Sequence, residues 1–121
     1  MCVISTPNTP AIFKDSLVRS IESKGYVVKV INYGESSVCQ LDIAYQTKWH
    51  SSSKSLLTYV KIQAYKDNKI IASNAYEQRI SSNSEINSVQ DITRYLVNKM
   101  FTDLVTWREK HPTIKRPGYI E

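Results

Sequence analysis

Side chains able to do covalent or acid–base chemistry are few in this chain of 121 residues, and they do not gather. The histidines are His50, beside serines at what reads as a strand end, and His111, in the last segment. A nucleophilic relay needs a hydroxyl or thiol, a base and a group that orients the base. Ser51, Ser52, Ser53 and Ser55 supply hydroxyls, but no Gly-x-Ser-x-Gly turn presents one, and such a run is ordinary loop composition. With three glycines in all, the chain lacks the clustered glycines that let backbone amides approach a phosphate. Asp42, Asp67, Glu77 and Asp91 are scattered, with no paired acid and base. Cys2 and Cys39 are too few and too far apart for a zinc site, which takes four ligands at short paired spacings. The expectation is a domain without catalytic residues, metal or cofactor.

Recognition is the chemistry that remains. The chain holds eight tyrosines and two tryptophans. Tyr59 and Tyr65 fall on the strand face opposite Val60 and Ile62, flanking Lys61 and Gln63, and Gln46 and Lys48 share that outer face from the neighbouring strand. Aromatic rings and cations on an open sheet can hold a protein, a glycan or unstacked bases. Gln46, Lys48, Tyr59, Lys61 and Tyr65 are therefore the expected contact surface, with a protein as the partner. The formal charge of +5, from 16 basic and 11 acidic residues, adds a generic attraction to polyanions. Its cations are spread along the chain rather than clustered, and Leu57 to Tyr65 lacks the glycine of an RNA-reading strand, so a nucleic-acid role is the weaker alternative.

These residues have to be positioned by secondary structure, and its periods are legible. Thr9 and Pro10 followed by Ile12, Phe13, Leu17 and Ile21 read as a cap, a first-turn proline and one apolar helical face, stopped by Gly25. Tyr26 to Ile31 reads as a strand ended by the Asn32-Tyr33-Gly34 turn. From Val38 to His50, Cys39, Leu41, Ile43, Tyr45, Thr47 and Trp49 alternate with polar neighbours, the period of a half-buried strand. Leu56 to Tyr65 alternates again, and Lys66-Asp67-Asn68-Lys69 turns it into Ile70 to Glu77. After a polar link at Ser81 to Ser84, Ile86, Val89, Ile92, Leu96, Val97, Met100, Phe101, Leu104 and Val105 recur at helical steps. Arg108 and Lys110 suit the dipole at that helix's end.

The order predicts an α+β fold of two layers, a four-stranded antiparallel meander packed on two helices. Residues 1–9 are expected to form a flexible tether, 10–110 the single domain and 111–121 an irregular tail. A chain of this length supports one core, since folding a domain of about this size hides roughly two-thirds of the unfolded surface. No run approaches the roughly 20 apolar residues that cross a bilayer.

Cys39 itself reads as a small buried strand residue, with a disulfide to Cys2 left open. Cys2 follows Met1 and precedes a Ser, Thr, Asn and Pro-rich stretch, Val3 to Pro10. Together with Lys24-Gly25-Tyr26 at the end of the first helix, the Ile43 to Trp49 strand, Leu57-Thr58-Tyr59 and the closing helix, this pattern resembles small Gram-negative envelope lipoproteins. The resemblance implies that Cys2 is the acylated residue, that the domain is anchored to the outer membrane facing the periplasm, and that its partner is a protein of the cell envelope. Two other classes stay open: an inhibitor or immunity-type protein that blocks a toxin or enzyme, and a cytoplasmic nucleic-acid binder.

Overall fold

A computed structural model describes residues 1–7, 9–50, 53–79 and 88–110, with the backbone alone for 53–55. Its elements in chain order are β1 (Cys2–Ser5), α1 (Ala11–Glu22), β2 (Lys29–Asn32), β3 (Asp42–His50), β4 (Ser53–Lys66), β5 (Lys69–Glu77) and α2 (Val89–Lys110). The tail at 111–121, with His111, and the polar link at 81–84 lie outside the described residues, as does Ile86.

The α+β class and the two helices hold, while the four-stranded meander does not. The sheet has five strands in the order β2-β1-β3-β4-β5. Cys2 to Ser5, expected as part of a tether, is a strand that pairs in parallel with both β2 and β3. The sheet is therefore mixed: β2, β1 and β3 run parallel, and β3, β4 and β5 run antiparallel. The backbone explains why this short piece is held. Cys2 N–H donates to Leu41 O at 2.9 Å on one side, and on the other Lys29 N–H donates to Met1 O at 2.9 Å and Tyr33 N–H to Ser5 O at 3.2 Å. Parallel neighbours need a crossover, and α1 supplies the one between β1 and β2.

The β3–β4–β5 half matches the alternation in the sequence. Asp67 and Asn68, at φ of 52° and 64°, form the two-residue turn that closes the last hairpin, a conformation in which Asp and Asn are tolerated. An irregularity in the β4–β5 register falls between Ala64 and Tyr65, whose partners Ala72 and Ile70 leave Ile71 as an extra residue.

Most of the buried apolar positions converge on one side of the sheet. Val3, Ile43, Tyr45, Val60, Ile62, Ala64 and Ala72 face Phe13, Leu17 and Ile21 of α1 and Ile92, Leu96, Val97 and Met100 of α2, all of them buried. Both helical sets recur at four-residue steps, the stripe a helix must bury. The Phe13 and Tyr45 rings lie 5.1 Å apart, joining α1 to β3, and Tyr26 stacks on Phe101 at 4.8 Å, joining the end of the α1 turn to α2. Gly25, at φ of 93°, takes the left-handed conformation that releases the chain from α1.

Because β2 and β3 are parallel and β1 lies between them, the connection at 33–41 must return along the sheet and cross β1. A cross-link marks where it does so. Val3 points into the core, so Cys2 points to the opposite face; there it is fully buried and disulfide-bonded to Cys39 of the crossing segment. Cys39 thus lies before β3 rather than within it. Ser37 Oγ donates to the Asp42 carboxylate and accepts from Cys39 N–H at 3.1 Å, fixing the segment beside the bond.

The disulfide spans a sequence separation of 37 and encloses β1, α1 and β2. Chain entropy assigns a closure of that length roughly 4 kcal/mol of stability. Replacing Cys2 and Cys39 together by serine should lower the unfolding free energy by about 2–4 kcal/mol in denaturant titration, and reductant should reproduce most of that loss in the unsubstituted chain.

Candidate binding surface

The face of the sheet away from both helices is laid out by the strand register as cross-strand rows. Lys48 lies opposite Tyr59, which lies opposite Glu77; Gln46 opposite Lys61 and then Ala75; Ala44 opposite Gln63 and then Ser73; Asp42 opposite Tyr65 and then Ile70. Residues directly opposite on one face are close enough to interact, and two of the rows do so visibly. Lys48 Nζ sits 5.4 Å from the centre of the Tyr59 ring, a cation–π contact. Tyr65 Oη donates to Gln63 Oε1 at 3.2 Å, and Gln63 Nε2 donates to Ser73 Oγ at 3.5 Å.

At the β1 side of this face the crossing segment rises as a wall. Asn32 and Glu35 close its first turn, Glu35 N–H donating to Asn32 O at 3.0 Å while the Glu35 carboxylate accepts from Asn32 N–H at 2.5 Å. Gly34, at φ of 90°, makes that turn possible. Between this wall and the sheet lies an open hollow of about 570 Å³, with Ile4 and Ala44 on its floor, Tyr33 and Tyr65 at its sides, and Gln46 and Gln63 among its polar groups. Tyr33 is 75% exposed, unusual for so large a ring in a turn. Glu35 and Asp42 also line the hollow, whereas Lys48 and Lys61 stand on the flat part beyond it, with Glu77 at the end of the Lys48–Tyr59 row.

All five residues expected to form a contact surface lie on this one face. Gln46 and Tyr65 line the hollow; Lys48, Tyr59 and Lys61 occupy the flat part. Sequence reasoning missed the concave half, built by Ile4, Tyr33 and Glu35, because it depends on β1 and on the loop that crosses it. A tyrosine flanked by Asn32 and Gly34 was the one local signal, since a turn gives an aromatic ring nothing to bury against.

Cys2, expected to be the acylated residue, has its sulfur in the bond to Cys39. One sulfur atom cannot hold a disulfide and a lipid thioether together, so the fold as described uses the first. The ligand atoms of Cys2, Cys39 and Asp42 lie within 4.8 Å of one another, yet the two sulfurs are bonded to each other and offer no thiolate to a metal. His50 ends β3 opposite Ser53. Comparison with protein families, with curated proteins and with solved structures finds no match to this chain.

The side chains of the flat part are half-exposed or exposed, so their truncation should leave the fold nearly unchanged. Gln46→Ala, Lys48→Ala and Lys61→Ala are each expected to shift the unfolding free energy by less than about 1 kcal/mol. Ile62→Ala, one residue away on the buried side, should cost about 2–5 kcal/mol in the same denaturant titration.

Proposed function

We propose that this protein is a non-catalytic binding domain of the bacterial envelope that uses the outer face of its sheet to hold a protein partner. The observation that carries the reading is that both helices and the main hydrophobic cluster lie on one side of the sheet, which leaves the rows from Lys48–Tyr59 to Ala44–Gln63 uncovered, with the crossing segment walling them at the β1 side. Tyrosine is enriched in protein interfaces, where its ring supplies contact area; the amides can satisfy a partner's backbone, and the two lysines, at the rim, set orientation. The hollow between Tyr33 and Tyr65 would receive an anchoring side chain, and the flat part would form the rim.

The cysteines support that compartment. A disulfide that stabilises a small domain persists where thiols are oxidised, in the periplasm or outside the cell, and is rare in the cytosol. The same point weighs against the cytoplasmic nucleic-acid reading. Among the described residues no helix is long and apolar enough to cross a membrane. Anchoring through Cys2 is the alternative chemistry of the same sulfur. The intact mass of protein isolated from cells distinguishes the two states: a loss of about two hydrogens on oxidation with no acyl addition supports the disulfide, and an acyl-sized increment on the N-terminal peptide supports the anchor.

The binding reading is tested by cross-linking in intact cells followed by affinity measurement with the captured partner. Tyr59→Ala combined with Lys61→Ala should weaken that complex tenfold or more, because truncation of a central anchor typically costs about 1–2 kcal/mol or more. Tyr33→Ala should do the same from the other side of the hollow. Unchanged affinity in all of these variants would remove the outer face as the contact surface. Should the captured partner be an enzyme or toxin whose activity falls stoichiometrically on binding, the role would be that of an inhibitor acting through this same face.

A further inference from the structure

The opposite side of the molecule carries a second polar feature that the outer face does not explain. Along the seam between α1 and α2, two adjoining hollows of about 250 Å³ each share Ser20, Ser23 and Arg94. One continues to Ser16, Arg19 and Gln90, the other to Lys24, Val97 and Asn98. Three cations, one from each helix and Lys24 from the turn after α1, therefore border one trough, and among the described residues no carboxylate lines either hollow. Arg19 and Lys24 form no ion pair among the described residues. Arg94 contacts Asp91 at 3.3 Å, but both side chains are mostly exposed, and a pair of that kind is readily exchanged for another anion.

Ser16 makes the trough more than a set of surface charges. Of the two buried polar residues among those described, Thr93 donates its hydroxyl to Val89 O at 2.6 Å. Ser16 is 3% exposed and lines the trough, yet its hydroxyl makes no hydrogen bond among the described residues. A buried hydroxyl without a partner is unfavourable. Close packing of two helices is served equally well by alanine, so helix packing leaves the oxygen of Ser16 unexplained. Gln90 lies in the first turn of α2, at the positive end of the helix dipole, beside the Asp91 that Arg94 contacts.

We infer that this α1–α2 trough binds an oxyanion of the phosphate class, with Arg19 and Arg94 as the charged clamps, the Ser16 and Ser20 hydroxyls as donors from its floor, and Lys24 at its open end. Planar guanidinium groups suit a tetrahedral oxyanion because each can present two parallel N–H donors. The ligand is either a free phosphate-bearing small molecule or the phosphate of an anionic lipid headgroup. The second would lay the helical layer on a membrane surface and leave the sheet face pointing away from it.

The experiment uses the full chain with its disulfide intact. Inorganic phosphate is titrated while amide shifts are followed by NMR. In a separate arm, co-flotation is measured with vesicles of phosphatidylcholine alone and with phosphatidylglycerol added. We expect saturable shifts at Ser16, Ser20 and Gln90, at least a tenfold loss of affinity in Arg19→Gln and in Arg94→Gln, and a several-fold loss in Ser16→Ala without a lower Tm. Lys48→Gln with Lys61→Gln, on the opposite face, should leave binding unchanged. Co-flotation with phosphatidylglycerol that phosphate competes away identifies the lipid headgroup, and shifts without co-flotation identify a free phosphate. Absence of saturable shifts and of co-flotation, or binding that survives the combined Arg19→Gln and Arg94→Gln change, overturns the assignment.

Discussion

The position of a four-residue strand decides the rest of this structure. Cys2–Ser5 lies between β2 and β3, paired with both, and its Val3 is fully buried in the core. Being central and parallel to each neighbour, β1 forces two crossings. One is made by α1 on the core side, which places Phe13, Leu17 and Ile21 over the sheet. The other is made by the 33–41 segment on the opposite face, where the Cys2–Cys39 bond pins it. Without β1 there would be no reason for either crossing, and the sheet would be the simple meander that alternation alone suggests.

The two faces of the sheet acquire their characters from that arrangement. Most buried apolar side chains of the helices and of β3, β4 and β5 are gathered on the helix side, so the outer face of those strands carries chiefly rings, amides and charges spaced by the ladder. The crossing segment then turns part of a flat surface into a concave one, because Tyr33 and Glu35 stand above Ile4 and Ala44. On the far side, the two helices lie close enough to bury Ser16 between them and to bring cations from both to one seam. A binding role on the sheet and an anion-holding role on the helices are therefore separate products of a single layered packing, and neither requires the other.

How much of this could be read beforehand depends on how local the signal was. The period-two run from Ile43 to Trp49, its partner ending at Tyr65, and the Asp67-Asn68 turn were legible because antiparallel strands joined by short links carry their pairing in neighbouring sequence. The helical stripes at Phe13, Leu17 and Ile21 and at Ile92, Leu96 and Met100 were equally plain. The five outer-face residues followed from the same alternation. Strand β1 was not legible: Val3 and Ile4 are too few to show a period, Thr6 and Pro7 follow at once, and the pairing that holds the strand comes from segments more than 25 residues away. Cys39 was placed inside a strand for a related reason. Its apparent alternation with Leu41 and Ile43 does not continue a ladder: Cys39 is half-buried, outside β3, and bonded to Cys2.

Amide hydrogen exchange at Cys2 and Val3 is the most direct test of the central placement of β1. An amide inside a ladder with strands on both sides exchanges only through large-scale unfolding. These two positions should therefore be protected to the same degree as Ile43 and Ile62 in the core strands. Exchange at Cys2 and Val3 at the rate of an unstructured peptide, with Ile43 and Ile62 still protected, would contradict the account and return the first residues to a tether on a four-stranded sheet.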